Sequence, residues 1–329
     1  MTPVLEVKGL SKKFAKRIDF AGKIANRLGA GMRQEVVHAV DNVSLAIHSG
    51  EVVGLVGESG CGKSTLGRMI AGILPQSMGS VLLDGKDTAQ LRGPEAKAAA
   101  LTVQMIFQDP FASLNPRMRV EQIIGEAPLV HGLANREGLS DYVDEIMLSV
   151  GLDPSLKKRY PHQFSGGQRQ RIGIGRALAV RPRFLVCDEA IAALDVSIQA
   201  QVLNLFMDLR EQFDLTYLFI SHDLSVVEHI ADRIVIMYLG RVVESARTEA
   251  LFEKPQHPYT RALLSEVPRL DQRKRDFTPM AGEIPSPLDP PTGCHFHPRC
   301  PHVMPVCRSE IPLLELRNDS RVVSCHLDH

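Results

Sequence analysis

The sequence of 329 residues has no net charge, because 38 lysines and arginines balance 38 aspartates and glutamates. This balance gives no reason to expect a nucleic acid as the main partner, since such partners favour an excess of positive charge. The chain also lacks the run of ~18–20 apolar residues that a membrane-spanning helix needs. Its longest uncharged candidate, residues 69–83, is interrupted by glycine and proline. The first residues lack the basic-then-apolar layout of a secretory signal, so none is expected.

Apolar residues make up 44% of the chain and charged residues 23%, which is typical of a globular protein. The length favours one large domain with an appendage. Four of the six cysteines and twelve of the 21 prolines follow residue 254. We therefore predict a main domain over 1–253 and an extension over 254–329. In a chain without a signal, clustered thiols indicate a metal more than disulfides.

Short apolar runs alternate with helical stretches in the main domain, which predicts an α/β fold with a largely parallel sheet. Val52–Val56 is typical of a strand buried on both faces, and a helix is predicted over 63–74. The other predicted strands are Leu5–Val7, Val43–Ile47, Met105–Phe107, Phe184–Val186 and Leu218–Ile220, with a helix over 196–213 and a turn at 239–240 between two late strands. Residues 12–34 are predicted to be a loop or insertion, and residues 109–178 to be helical and loop-rich.

Residues 57–64, Gly-Glu-Ser-Gly-Cys-Gly-Lys-Ser, fit the phosphate-loop pattern G-x-x-x-x-G-K-[ST] between a strand and a helix. In such a loop, backbone N–H groups surround the phosphates of a nucleoside triphosphate. Lys63 would contact the β- and γ-phosphates, and the Ser64 hydroxyl would bind Mg²⁺. The nucleotide-binding residues predicted here are Gly57, Glu58, Ser59, Gly60, Cys61, Gly62, Lys63, Ser64 and Thr65. Cys61 is expected to be reactive if the helix dipole lowers the pKa of its thiol.

A second motif follows the apolar run that begins at Phe184, where Asp188 and Glu189 stand side by side. Asp188 is suited to hold Mg²⁺, and Glu189 to orient or deprotonate an attacking water. Acidic residues at such a place also cap helices. The phosphate loop upstream favours the catalytic interpretation.

Residues 164–168, Phe-Ser-Gly-Gly-Gln, resemble the signature sequence of ATP-binding cassette (ABC) ATPases, with Phe164 where that family usually has leucine. The other cassette motifs follow in family order: the A-loop aromatic Phe14, the Q-loop glutamine Gln108, the D-loop Ala193–Asp195 and the switch histidine His222. Taken alone, His222 would be interpreted as a structural histidine and Phe14 as a core residue.

The ABC resemblance, which covers about residues 3–252, implies a role for each matched residue. Phe14 would stack on adenine, Gln108 would contact Mg²⁺ and the attacking water, and His222 would sense the γ-phosphate. The signature residues Ser165, Gly166, Gly167 and Gln168 and the D-loop Asp195 would complete the nucleotide site of a second chain. The resemblance also implies a P-loop NTPase fold: a RecA-like, mainly parallel sheet, N-terminal antiparallel strands and a helical subdomain at about 109–178.

The extension resembles the C-terminal segment of dipeptide and oligopeptide importers, first over residues 254–264 and then around its cysteines. In that family the set Cys294, Cys300, Cys307 and Cys325 is associated with a [4Fe–4S] cluster. Their gaps of five, six and seventeen residues suit a structural zinc site less well. Nearby histidines keep Zn²⁺ open as the alternative, and a disulfide is a third possibility.

Together these resemblances imply an ATPase subunit of a peptide importer, peripheral on the cytoplasmic face of the membrane. Its expected partners are two transmembrane permease subunits, a second ABC ATPase chain of the same or a paralogous kind and, indirectly, a solute-binding protein. Its expected cofactors are ATP and Mg²⁺. The alternatives are a cassette of a nickel or other small-solute importer and a soluble cassette ATPase without a transport role.

Overall fold

The computed structural model describes residues 2–15, 35–109, 111–192, 194–266, 282–317 and 321–327. Within these ranges the strands are β1 (Leu5–Ala15), β2 (Val36–Ile47), β3 (Val52–Val56), β4 (Met78–Leu83), β5 (Lys86–Asp87), β6 (Val103–Ile106), β7 (Phe184–Asp188), β8 (Thr216–Ser221), β9 (Arg233–Tyr238), β10 (Arg241–Arg247), β11 (Glu315–Leu316) and β12 (Val322–Val323). The α-helices are α1 (Lys63–Ile70), α2 (Gly93–Thr102), α3 (Val120–His131), α4 (Leu139–Ser149), α5 (Gly166–Leu178), α6 (Val196–Phe213), α7 (Leu224–Ile230), α8 (Thr248–Glu253), α9 (Pro258–Ser265) and α10 (Val306–Ser309).

The larger sheet has the order β11-β12-β10-β9-β3-β8-β7-β6. Its five strands from β9 to β6 are parallel, and β10, β12 and β11 are added antiparallel at one side. The carboxyl ends of parallel strands meet at one edge of a sheet, where such folds bind ligands. The segments that follow β3, β6, β7 and β8 therefore all begin at that edge.

Two buried apolar clusters cover the two faces of the larger sheet. Val52 of β3 faces the cluster that contains α3 to α7, whereas Val53 faces the cluster that contains α1 and the N-terminal strands. Gly54 lies where α7 crosses the sheet, because a Cβ there would lie 2.1 Å from Cγ1 of Val227. The continuous apolar run of β3 thus reflects burial on both faces.

The smaller sheet is antiparallel, with the order β2-β1-β4-β5. Its strands were predicted only in part, since β1 extends to Ala15 and β2 begins at Val36. The prediction of a loop from Lys12 is therefore wrong for residues 12–15, which pair with β2 through main-chain hydrogen bonds that need no apolar side chains. The rest of that predicted loop, residues 16–34, lies outside the described residues.

Most other predicted elements are observed, with small shifts at their ends. The helix after the phosphate loop ends at Ile70 rather than near residue 74, and Gly72 follows with a left-handed φ of 70°. The strand before Gln108 spans Val103–Ile106, and α6 has the predicted bounds. Residues 109–178 contain α3, α4 and α5 with loops between them. No helix among the described residues is long and apolar enough to span a bilayer.

The extension packs into the main domain instead of standing apart from it. Tyr259 of α9 and Phe296 are buried in the same apolar cluster as α3 to α7. Strand β12 pairs with β10, so the extension also lengthens the larger sheet. Next to this pairing, the buried carboxylate of Glu244 accepts hydrogen bonds from the backbone of Gln256 and His257, at 2.9 and 2.8 Å.

Candidate nucleotide site

The predicted phosphate loop connects β3 to α1 at the carboxyl edge of the larger sheet. Gly62 caps α1 with a left-handed φ of 106°, and a Cβ there would lie 2.1 Å from the backbone oxygen of Ala39. The buried Lys63 ammonium donates to the carbonyl oxygens of Gly57 at 2.7 Å and Glu58 at 3.0 Å. The loop is therefore folded around its own lysine, and the first N–H groups of α1 are available to an anion.

Ser64 and Asp188, two of the three predicted Mg²⁺ ligands, lie in contact. The Ser64 hydroxyl donates to Oδ1 of Asp188 at 2.7 Å. Burial raises the pKa of Asp188, and the Ser64 hydrogen bond and nearby Arg68 only partly oppose this effect. A buried carboxylate beside a hydroxyl is a pair of hard oxygen ligands suited to Mg²⁺, which would also stabilise the carboxylate charge.

Two predicted catalytic side chains converge on one oxygen atom of a third. Nε2 of Gln108 donates to Oε2 of Glu189 at 2.8 Å, and Nδ1 of His222 lies 3.4 Å from the same oxygen. Glu189 has a left-handed φ of 47°, a strained conformation that is frequent at functional sites. The backbone N–H of Glu189 donates to the carbonyl of Ile220, which fixes this turn against β8. The arrangement places a carboxylate, the group predicted to act as general base, beside a histidine and an amide.

The signature segment lies at the start of α5 and is held by its own hydrogen bonds. The Ser165 hydroxyl accepts from the Gln168 N–H at 3.3 Å, and Oε1 of Gln168 accepts from the Ser165 N–H at 3.0 Å, which forms a capping box. A Cβ at Gly167 would lie 2.7 Å from Ile198, so this loop packs closely on α6. Among the described residues, no hydrogen bond joins the signature segment to the phosphate loop of the same chain.

The two remaining predicted nucleotide contacts are exposed. Phe14 lies on β1 with 42% of its surface exposed, and the Lys12 ammonium lies 5.2 Å from its ring centre. Phe14 pairs with Val37 on β2, two residues from Ala39, whose carbonyl contacts the phosphate loop. Asp195 is exposed at the start of α6, whereas Ala193 lies outside the described residues.

The extension also contacts the phosphate loop, a connection that the sequence patterns do not predict. Arg299 donates to both carboxylate oxygens of Glu58, at 2.7 and 3.0 Å. The hydroxyl of Tyr259 accepts from the Glu58 N–H at 2.9 Å. These partners lie 201 and 241 residues from Glu58 in the sequence, so no local spacing could indicate them.

The cysteines give two results. Cys61 is buried, and burial raises the pKa of its thiol, so the expectation of a reactive Cys61 is wrong. Burial raises the pKa of Cys294 to about 11. The Cys294 N–H donates to the Cys307 carbonyl at 2.9 Å, so these two residues lie side by side. In the described ranges all six cysteines are free, and no group of three or more His, Cys, Asp or Glu side chains is arranged to hold a metal ion.

Comparisons with known proteins give the family of the chain. The family model described as ABC transporter matches residues 40–192, and the model described as oligopeptide/dipeptide transporter, C-terminal region, matches residues 243–307. The chain is 47% identical to the oligopeptide transport ATP-binding protein AppF of Bacillus subtilis (strain 168), over 98% of this chain and 97% of that protein. It is 49% identical to the putative oligopeptide transport ATP-binding protein YkfD of the same organism, over 99% and 95% of the two chains.

Solved structures of ABC ATPase cassettes have a similar fold. The structure of cbiO1 from Clostridium perfringens, part of the ABC transporter complex cbiONQ, matches with a TM-score of 0.62 and 25% identity over 77% of this chain and 92% of that chain. The ATP-binding cassette MJ0796, a dimer bound to ADP and Pi, matches with a TM-score of 0.62 and 27% identity over 74% and 98%. The predicted P-loop fold and family are confirmed. The chain belongs to the ABC transporter family, as an ATP-binding cassette ATPase with the C-terminal region of oligopeptide/dipeptide transporters.

Proposed function

We propose that this ATPase energises a membrane importer of dipeptides, oligopeptides or similar solutes, through ATP-driven closure of two cassettes. The observation that carries the proposal is the convergence of Gln108 and His222 on Glu189, in a chain whose phosphate loop lies at the same sheet edge. The names of the relatives, which refer to oligopeptide transport, support the solute class.

In the proposed reaction the residues of the site divide the work. Lys63 exchanges its hydrogen bonds to the loop carbonyls for bonds to the β- and γ-phosphates of ATP. Ser64, Asp188 and Gln108 would hold Mg²⁺, which would neutralise phosphate charge. Glu189 accepts a proton from the attacking water, which Gln108 helps to position. His222 contacts the γ-phosphate, and this contact is lost when the γ-phosphate leaves after hydrolysis.

A second cassette completes the proposed site. Ser165 caps the N-terminus of α5 through a capping box with Gln168. We propose that the N–H groups at this helix start bind the phosphates held by a partner chain. Closure and reopening of two such cassettes would drive two permease subunits between inward- and outward-facing states. The chain would then act at the cytoplasmic face of the membrane, and a solute-binding protein would contact the permeases.

Replacement of the general base tests the hydrolytic role. Glu189→Gln keeps the side-chain shape but cannot accept a proton, so kcat should fall by about 10²–10⁴-fold while ATP still binds. Glu211→Gln, an exposed change on α6, is the matched control and should hydrolyse ATP like the wild type. Phosphate release and ATP titration on the full chain measure both properties. Brisk hydrolysis by Glu189→Gln would refute the assignment.

Loss of the loop lysine tests nucleotide binding separately. Lys63→Ala removes the ammonium that neutralises the phosphates, so ATP affinity should fall first. Calorimetric titration with Mg-ATP measures this loss, and normal affinity would contradict the assignment of residues 57–64.

Formation of the closed dimer is tested by crosslinking. Ser59→Cys and Gly166→Cys in a Glu189→Gln background should crosslink between chains only with ATP present. Failure to crosslink would contradict the two-cassette mechanism.

We further propose that Cys294, Cys300, Cys307 and Cys325 bind a [4Fe–4S] cluster, with Zn²⁺ as the competing occupant. The support is the donor chemistry of four free thiols, of which Cys294 and Cys307 are joined by a backbone hydrogen bond, and the family resemblance of the segment. Iron, sulfide and zinc analysis of anaerobically purified protein separates the two. No step of ATP hydrolysis depends on this group.

A further inference from the structure

A carboxylate stands inside the phosphate loop, at Glu58, the residue after the first glycine. A negative charge there is unfavourable for a loop that must bind a triphosphate, because like charges repel over several ångströms in a partly desolvated site. The side chain of Glu58 is 22% exposed, so water screens its charge only in part. The chain needs another group to compensate this charge.

Arg299 of the extension is that group. Its two terminal nitrogens bind the two carboxylate oxygens of Glu58, the bidentate geometry that makes arginine–carboxylate pairs strong. The side chain of Arg299 is only 5% exposed, and its guanidinium lies 5.9 Å from the ring centre of Tyr238. The arginine is therefore fixed by burial before any nucleotide arrives.

The surroundings of Arg299 are rigid. It ends a short 3₁₀ helix, His297–Arg299, which follows Phe296. The Phe296 ring packs against the rings of Tyr238 and Tyr259, with centres 5.3 and 5.4 Å apart. Tyr259 also accepts the Glu58 N–H, so the extension holds both the backbone and the side chain of this loop residue.

Glu58 is in turn linked to the catalytic lysine, since its carbonyl oxygen accepts from Lys63 at 3.0 Å. We infer that Arg299 is a positioning residue for the nucleotide site: it neutralises Glu58 and holds its carboxylate away from the phosphates of ATP. This inference rests on the proposed function. If Arg299 has this role, the extension contributes directly to the nucleotide-binding site.

The test uses the full chain and measures KM for ATP, kcat and ATP affinity. Arg299→Met keeps the apolar stem and removes the charge, so Glu58 faces the nucleotide uncompensated. We expect KM for ATP to rise about tenfold, with kcat within about twofold of wild type. The rise should shrink at high salt, because ions screen the repulsion. Arg308→Ala, an exposed arginine of α10, is the control and should leave KM unchanged.

A double variant separates charge compensation from a merely structural role. In Glu58→Gln/Arg299→Met the carboxylate is gone as well, so KM should return to within about threefold of wild type. A structural defect of the extension would not be rescued by a change in the phosphate loop. Arg299→Lys keeps the positive charge and should raise KM by about threefold or less, which covers the case in which Arg299→Met fails to fold.

Two results would overturn the inference: a normal KM in Arg299→Met, or a double variant as impaired as the single one. Lys63→Ala in the same assay distinguishes failure of the Arg299 inference from failure of the proposed function. If Lys63→Ala loses ATP while the Arg299 variants bind it normally, the inference fails and the proposed function stands. If Lys63→Ala also binds ATP normally, the proposed function fails.

Discussion

The buried ion pair between Glu244 and Arg321 predicts that the extension is needed for the stability of the main domain. Glu244 lies on β10 with its side chain fully buried, and the Arg321 side chain is 6% exposed. Nη1 of Arg321 lies 3.4 Å from Oε1 of Glu244, and its Nη2 donates to the carbonyl of Ala250 at 2.7 Å. The pair therefore joins the extension to β10 and to α8.

The cost of breaking this pair follows from the burial of both groups. Removal of one partner of a buried pair costs about 3–5 kcal/mol, because the other charge is left uncompensated. Glu244 would keep two backbone N–H donors, which places Arg321→Met near the lower end, at about 3 kcal/mol. At about 2–4 °C per kcal/mol for a chain of this order of size, Tm should fall by about 6–12 °C.

Thermal unfolding of the full chain, followed by circular dichroism, measures this loss. The matched control is Arg317→Met in the same segment, whose ion pair with Glu315 is exposed, with side chains 30% and 57% accessible. That change should cost less than about 0.5 kcal/mol. Glu244→Gln/Arg321→Met should recover part of the loss, since no uncompensated charge remains. A loss below about 1 kcal/mol for Arg321→Met, or an equal loss in the control, would refute the reasoning.

Two further predictions concern β3 and the segment before it. Gly54→Ala places a methyl group 2.1 Å from Cγ1 of Val227, and it should destabilise the fold by about 1–3 kcal/mol in urea unfolding; an unchanged midpoint would contradict the close packing. Burial by itself would raise the pKa of Glu51, but hydrogen bonds from Arg233 and a main-chain N–H lower it overall. A lowered pKa in the folded state stabilises the fold above the ordinary pKa of glutamate, and this contribution is lost as pH falls through the lowered value. Glu51→Gln should therefore be less stable at neutral pH, with the difference from wild type vanishing under strong acid; a constant difference across pH would count against the shift.

The sequence predicted those parts of the fold and site that local patterns determine. The strand Val52–Val56, the phosphate loop and the pair Asp188–Glu189 each depend on a few neighbouring residues, and each lies where it was expected. The convergence of Gln108 and His222 on Glu189 follows from the edge that parallel strands share. Their positions could be predicted because each residue follows a parallel strand of the same sheet.

The remaining features depend on contacts between distant parts of the chain. Strand β1 extends through polar residues to Ala15 because β2 lies beside it, which hydropathy alone does not indicate. Cys61 is buried in the apolar cluster that also contains Met237 of β9, and the Gly240 N–H donates to the Cys61 carbonyl at 2.9 Å. The pairing of Glu58 with Arg299 needs the whole tertiary structure. In each case a residue or strand distant in the sequence determines the local structure.

The long separation between Glu58 and its partners bears on how the protein is made. A ribosome releases residues 57–64 early in synthesis, whereas Tyr259 and Arg299 emerge much later. Domains tend to fold from the N-terminus while synthesis continues. During that interval the nascent loop carries an unpaired carboxylate and lacks the aromatic support behind it. Glu58 can therefore form these contacts only after Tyr259 and Arg299 have been synthesised. A chain terminated before Tyr259 would contain the phosphate loop but lack both of these contacts.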